Sequence, residues 1–304
     1  MRGPRINFYD RTRVIECVPN FSEGRNAETV RSIVTAIESP GVLLLGYESD
    51  EDHNRSVVTF AGEPEAVLEG AIRGAGKAAE LIDLSIHRGV HPRVGAADVI
   101  PFVPLDGATL ADCVTIAHRA GEEIWRRFGV PVYFYESAAC SLERKRLERV
   151  RRRGFDGNPP DIGDIAAHVS AGAAVVGARD LLIAYNVNLA TADPEIALAI
   201  ARRIRESSGG FPYVKAMGRF LKSRGCAQIS MNLTNFALTP LDLVYDAICA
   251  EAAARGTGIA SSQIIGFVPR KAFEMSPEFF QRAENFSESR VIETRIAELR
   301  AAAC

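Results

Sequence analysis

The sequence predicts an α+β protein of two fused lobes, each ordered strand–helix–strand–strand–helix–strand. Three observations predict it. Segments with apolar residues at helical spacing are flanked by short apolar, strand-like runs. The same order of elements occurs twice, the copies offset by roughly 170 residues, near a typical domain length. A stretch rich in turn-forming residues, 151–160, separates them. This β-α-β-β-α-β order is the ferredoxin-like one, with helices on one face of each sheet and a ligand cleft expected between the lobes. A single doubly wound sheet is the competing architecture. It calls for mostly parallel strands, and the adjacent strand pairs in each half argue against it. No sequence identity is visible between the halves, so the repeat is one of architecture.

The first strand is expected over 13–19, an apolar run that ends at the turn pair Pro19-Asn20. Asn26 caps a helix to about residue 38, with Val30, Ile33, Val34 and Ile37 at helical spacing. Short strands follow at 42–45 and 56–60. Pro64 opens a long amphipathic helix carrying Val67, Leu68, Ala71, Ile72, Ala75, Ala78, Ala79 and Ile82. A strand at 99–103, a helix at 109–128 and a strand at 130–135 complete the first half. In the second half, strands fall at 181–189, 214–222, 227–233 and 259–268, and helices at 194–204 and 240–254. The expected division is a lead-in over 1–12, an N-terminal lobe over 13–178 and a C-terminal lobe over 179–304. Near the junction lies a glycine-rich loop, 163–177, placed where ligand sites are common. Arg144, Lys145, Arg146, Arg149 and Arg151, Arg152 and Arg153 form a basic run. It reads as a solvated helix end, with a docking patch for a polyanionic tail as the functional alternative.

Composition narrows the function classes. The chain has 304 residues, 47% of them hydrophobic and 24% charged, with a net charge of −2. It can bury a sizeable core without disulfides or metals. The charge balance gives no case for nucleic acid or an anionic membrane as partner. No apolar run approaches the roughly 20 residues of a membrane span. Arg2, Arg5, Arg11 and Arg13 are followed by no apolar stretch, so a secretory signal is not expected and a cytoplasmic location is. Cys17, Cys113, Cys140, Cys226, Cys249 and Cys304 are scattered without metal-type spacing, and are expected to be reduced thiols.

Among the five histidines, His87 and His91 are four apart. On a helix that spacing builds a zinc pair. Gly89 lies between them and Pro92 follows His91, and a residue before proline is driven out of the helical region. A metal is therefore not expected. His91 instead sits in a loop, Gly89-Val90-His91-Pro92-Arg93-Val94-Gly95, between a helix and a strand. A histidine there, beside an arginine, is either a poised proton carrier with an anion clamp or a hydrogen-bonded loop residue. No serine nucleophile elbow, phosphate-binding P-loop or dinucleotide fingerprint is present.

Several segments resemble the glutamate formimidoyltransferase (formiminotransferase) family, in order over about 13–275. They are Glu16-Cys17-Val18-Pro19-Asn20-Phe21-Ser22-Glu23-Gly24-Arg25-Asn26, Asn54-Arg55-Ser56-Val57-Val58-Thr59-Phe60, His91-Pro92-Arg93-Val94-Gly95-Ala96-Ala97-Asp98-Val99-Ile100-Pro101-Phe102, and Pro131-Val132-Tyr133-Phe134-Tyr135-Glu136. Val176-Gly177-Ala178-Arg179 and Leu182-Ile183-Ala184-Tyr185-Asn186-Val187-Asn188-Leu189 look like the opening of that family's second lobe. The resemblance implies two similar α+β lobes, a homodimer and a folate cleft. It implies His91 as the catalytic residue, with Asn20, Arg55 and an acidic position falling on Glu48 in the substrate site. The folate-contacting segment matches Gly163, Asp164, Ile165, Ala166, Ala167, His168, Val169, Ser170, Ala171 and Gly172. Relatives usually carry proline or aromatic residues there, and this chain does not. Ending at Cys304, the chain is expected to be the stand-alone form, without a cyclodeaminase domain.

The implied reaction moves a formimino group from N-formimidoyl-L-glutamate to N5 of tetrahydrofolate and releases L-glutamate. One histidine near its ordinary pKa can take the N5 proton and return it to the leaving nitrogen. Both substrates bring carboxylates, which Arg55 and Arg93 suit by bidentate pairing. Glu48 or Asp98 is expected to orient His91 or the amidinium. Formyl transfer between glutamate and 5-formyltetrahydrofolate at the same site, or non-catalytic folate binding, are the alternatives.

Overall fold

The computed structural model describes residues 13–89, 92–153, 158–164 and 168–302. The chain is α+β and divides into two compact units. One holds the described residues up to Leu44 together with Asn54–Arg179; the other holds Leu45–His53 together with Asp180 onward.

The first unit begins with a strand interrupted at Val18-Pro19, β1 (Ile15–Cys17) and β2 (Asn20–Phe21). Then come α1 (Ala27–Ile37), β3 (Val42–Asp50, of which only the residues up to Leu44 belong to this unit), β4 (Arg55–Gly62), α2 (Pro64–Leu81), β5 (Ala97–Pro104), α3 (Leu110–Phe128), β6 (Val132–Glu136), α4 (Leu147–Arg153) and β7 (Ala174–Ala178). The helix starts follow local chemistry. The Asn26 side chain accepts from the amides of Glu28 and Thr29, Pro64 opens α2, and Thr109 with Asp112 forms a capping box on α3. Across the sheet the order is β3–β4–(β1, β2)–β5–β7–β6. The pairs from β1 and β2 to β4 and β5 are antiparallel, whereas β5–β7 and β7–β6 are parallel. One face carries the main core, Phe21, Phe60, Ile72, Ile100, Ile124 and Phe134 among others, under α1, α2 and α3.

Three expectations need correcting here. The strand expected at 42–45 runs on to Asp50, through the polar residues Glu48 to Asp50, whose weak intrinsic preference for extended backbone hid it from the sequence. The tail of the supposed glycine-rich loop 163–177 is instead β7, a fully buried strand seated between β5 and β6. Its Ala-Val-Val-Gly-Ala sequence is too short and too small-sided to announce itself. Val176, Gly177 and Ala178 therefore belong to the first sheet and do not open the second. Finally, helices do not keep to one face. Val150 of α4 packs with Val99, Tyr133, Tyr135 and Val175 on the opposite side.

The second unit follows with β8 (Ile183–Leu189), α5 (Pro194–Ile204), β9 (Val214–Leu221), β10 (Cys226–Leu233), α6 (Leu241–Ala253) and β11 (Ile259–Ile265). Its sheet is antiparallel throughout, in the order β11–β8–β10–β9. Ile183, Tyr185, Val187 and Leu189 alternate onto the core face of β8, while Asn186 and Asn188 take the other face. Three short helices that the sequence reading did not anticipate follow: α7 (Arg270–Met275), α8 (Pro277–Gln281) and α9 (Ile292–Ala302). Ala272, Phe279, Phe280 and Ile292 of these are buried.

Candidate functional site

Asp98 is the centre of the charged site in the first unit. Along the β2–β5 ladder Asn20 faces Val99 but Phe21 faces Ala97, so Asp98 is the extra residue of a β-bulge. A bulge re-aims the side chain that ordinary alternation would dictate. The Asp98 carboxylate has no solvent exposure. Its Oδ1 accepts from the Val94 amide at 2.6 Å, and its Oδ2 accepts from Arg55 Nη1 and Arg151 Nη2, both at 2.6 Å. Burial alone pushes such a carboxyl's pKa up. The charges of Arg55 and Arg151 and the Val94 N–H outweigh it and hold Asp98 well below the usual carboxylate range.

Arg55, the first residue of β4, has its Nε donating to Asn20 Oδ1 at 3.1 Å, and Asn20 Nδ2 donates to the Val18 carbonyl at 2.9 Å. Burial lowers the pKa of this arginine, opposed by Asp98. Three residues singled out from the sequence, Asn20, Arg55 and Asp98, thus form one connected group. Tyr135 of β6 borders it, its phenol pushed up to about 12 by burial.

His91 and Val90 lie outside the described residues, but both flanks of the pair are anchored. On the N-terminal side, carbonyls of three successive residues accept from side chains. Arg88 Nη1 and Arg93 Nη2 donate to the His87 carbonyl at 2.8 and 3.1 Å, and Arg93 Nη1 donates to that of Gly89 at 3.3 Å. The Arg88 carbonyl takes Arg25 Nη1 and Asn54 Nδ2. On the C-terminal side stand the Val94–Asp98 bond and Gly95. The Gly95 carbonyl accepts from the buried Ser22 hydroxyl at 2.7 Å, and a Cβ on Gly95 would overlap the carbonyl oxygen of Ala173. Arg93, the candidate carboxylate clamp, also holds the loop's own backbone. His87 is buried, neither ring nitrogen is hydrogen-bonded among the described residues, and burial, then Arg93, lowers its pKa.

Glu48 has its partners elsewhere in the sequence. It belongs to the second unit, where it pairs with Arg290 at 2.5 Å and accepts from the Gly266 amide at 3.0 Å. In the candidate folate segment, Ile165, Ala166 and Ala167 lie outside the described residues. Gly163 adopts φ +98°, a Cβ there would collide with the Trp125 ring, and Asp164 is exposed. His168 Nδ1 accepts from the Ala171 amide, and Val169 is 97% exposed. The Ser170 and Ala171 carbonyls accept from the amides of Leu84 and Ala96 at 2.8 Å, and Gly172 exchanges both backbone bonds with His168. The segment is thereby strapped to the backbone on either side of the 87–95 loop.

Two residues of this site escaped sequence reasoning. The sequence places Arg151 in a solvated basic run, yet its side chain is only 13% exposed and it grips Asp98. Arg144 in the same run pairs with Asp161 and donates to Asn158 and the Pro159 carbonyl, so it too is structural. Asn54, in the left-handed region at φ +46°, bridges the Gly24 amide to the Arg88 carbonyl. An asparagine tolerates that backbone, and its place before Arg55 was the available signal.

A two-sheet α+β protein with a pair of arginines clamped on a buried aspartate is the class that fold and geometry define. Sequence relationships make it particular. Residues 14–179 match the family described as "Formiminotransferase domain, N-terminal subdomain", and 184–302 match "Formiminotransferase domain". Over 284 residues the chain is 42% identical to the glutamate formimidoyltransferase of Streptococcus pyogenes serotype M1, covering 90% of this chain and 95% of that one. It is 41% identical over 295 residues to the glutamate formimidoyltransferase of Thermoplasma acidophilum, covering 93% and 97%. The formimidoyltransferase-cyclodeaminase of Gallus gallus is 41% identical over 288 residues, 90% of this chain and 53% of the bird protein. The chain belongs to the formiminotransferase family.

Proposed function

We propose that this protein transfers the formimino group of N-formimidoyl-L-glutamate to N5 of tetrahydrofolate, giving 5-formimidoyltetrahydrofolate and L-glutamate. The observation that carries this reading is the near end-to-end match to two proteins named glutamate formimidoyltransferase. The connected Asn20–Arg55–Asp98 group, beside a loop anchored on both flanks of His91, supports it from the side of geometry.

In this reading N5 attacks the amidine carbon, the new C–N bond forms, and the bond to the glutamate nitrogen breaks. His91 accepts the N5 proton and delivers it to the departing amine, so one group serves as base and then acid. Asn20 and Arg55 bind substrate. Asp98 is already engaged by two arginines, so its part is to hold Arg55 and Val94 in place. Glu48, joined to Arg290, and Arg93 are kept as substrate-binding candidates, and the segment 163–172 as the folate contact. We read the strand orders β3–β4–(β1, β2)–β5 and β11–β8–β10–β9 as two ferredoxin-like arrangements, the first extended by β7 and β6. Lobes over 13–178 and 179–304, a homodimer and a cytoplasmic location complete the proposal. No helix among the described residues is long and apolar enough to cross a membrane.

The test is a turnover assay. N-formimidoyl-L-glutamate with tetrahydrofolate is expected to release L-glutamate in proportion to folate product. Release of glutamate without a folate acceptor, or turnover of the N-formyl donor alone, contradicts the proposal.

A further inference from the structure

Asp98 needs one guanidinium to balance its charge, and it has two. Arg55 and Arg151 both bond the same oxygen, Oδ2, at 2.6 Å, so the three side chains together carry a net charge of +1 in a nearly water-free place. The side chains of Arg55 and Arg151 are 10% and 13% exposed, and that of Asp98 is 0% exposed. Excess positive charge at low exposure is costly unless an anion completes it.

The unused donors point the same way. Arg55 spends Nε on Asn20 and Nη1 on Asp98, and its Nη2 bonds nothing among the described residues. Arg151 spends Nη2 on Asp98; among the described residues its Nη1 bonds nothing and its buried Nε has no partner. A buried donor left unmade is a standing cost that a bound acceptor removes. A role confined to neutralising Asp98 accounts for neither the second positive charge nor the unmade Nε bond.

We propose that Arg151 is a second substrate-binding arginine, which with Arg55 forms a two-armed receptor for a carboxylate of a glutamyl group. Asp98 is its positioning residue: it fixes both forks by one shared oxygen and leaves their outer N–H groups for the ligand. Planar guanidiniums take a carboxylate through paired N–H donors, a geometry that lysine does not offer. The inference rests on the formimino-transfer reading for its substrates. Two of them bring this chemistry: the glutamate donor and the glutamyl tail of the folate.

Steady-state kinetics on Arg151→Gln and Arg151→Lys, with melting temperatures taken on the same samples, test it. Arg151→Gln is expected to raise one KM by roughly 10- to 100-fold, the span of a charge-assisted hydrogen bond, with a much smaller change in kcat. If the donor is the ligand, its KM rises and inhibition by L-glutamate weakens in step. If the folate tail is the ligand, the tetrahydrofolate KM rises, while turnover of tetrahydropteroate, which lacks the glutamyl group, is unaffected. Arg151→Lys is expected to recover only part of the lost affinity. Both KM values within twofold of wild type overturn the proposal, as does a fall in melting temperature with normal KM in the remaining folded enzyme. A wild-type protein that turns over neither substrate overturns the reaction and not this site. Calorimetry with L-glutamate or tetrahydrofolate then reads the receptor directly, and equal binding of each by wild type and Arg151→Gln overturns it.

Discussion

A carboxylate without solvent exposure persists only when positive charge and N–H donors replace the water it has lost. Around Asp98 two guanidiniums and the Val94 amide do so. Asp98→Asn leaves both arginines buried and unbalanced, and is expected to destabilise the protein by about 3–5 kcal/mol in denaturant titration. Because the folded-state pKa is depressed, this carboxylate's contribution is complete above its unfolded value near 3.9. It is lost as pH falls from there toward the folded value, since the unfolded chain takes up the proton first. Acid unfolding followed by circular dichroism should therefore show a limb below about pH 4 that shrinks in Asp98→Asn. An unchanged limb would remove Asp98 from that account. Arg55→Ala is expected to raise a substrate KM strongly, as removing one partner of a buried charged pair costs roughly 2–5 kcal/mol; unchanged KM values for both substrates would take it out of the site. Motif order made Asn20, Arg55 and Asp98 legible in the sequence. It did not reveal that Asp98 is a bulge residue, because ladder register is set by the partner strand. Nor did it separate Arg151 from the six basic residues around it, since in a charged run only tertiary position tells one arginine from the next.

Elements follow the same division. The capped helices α1, α2 and α3 were readable because Asn26, Pro64 and Thr109 mark their starts and their apolar residues recur with helical period. β7 was not, because five small buried residues carry no period of their own, and only slotting between β5 and β6 makes them a strand. That strand matters to the site, since Ala173 and Ala171 just before it brace Gly95 and Ala96. Gly95→Ala places a methyl group against the Ala173 carbonyl, so either the 92–96 loop or the start of β7 must shift. Loss of kcat/KM by 10-fold or more is expected, because a displacement of about 1 Å is enough to misplace a reacting group. Wild-type kcat/KM in a normally folded Gly95→Ala protein would show that the brace does not serve the site.

At the scale of the whole molecule, two sheet units were predictable from the repeated order of elements, and both are present with helices packed on them. The partition was less so: Leu45–His53 is counted with the second unit, although it lies within the first half of the sequence. Long-range pairs such as Glu48–Arg290 and the Ser223 hydroxyl to Asp52 tie this segment into the second unit, and contacts of that sequence separation leave no local signature. The proposed reaction is formimino transfer to tetrahydrofolate with His91 carrying the proton. The most direct measurement is turnover per folded molecule of His91→Ala, with folate affinity and melting temperature determined on the same sample. General acid–base catalysis contributes about 10²–10⁴-fold, so turnover is predicted to fall by about that factor, with folate binding and melting temperature nearly unchanged. Near-wild-type turnover by the folded His91→Ala protein would contradict the account.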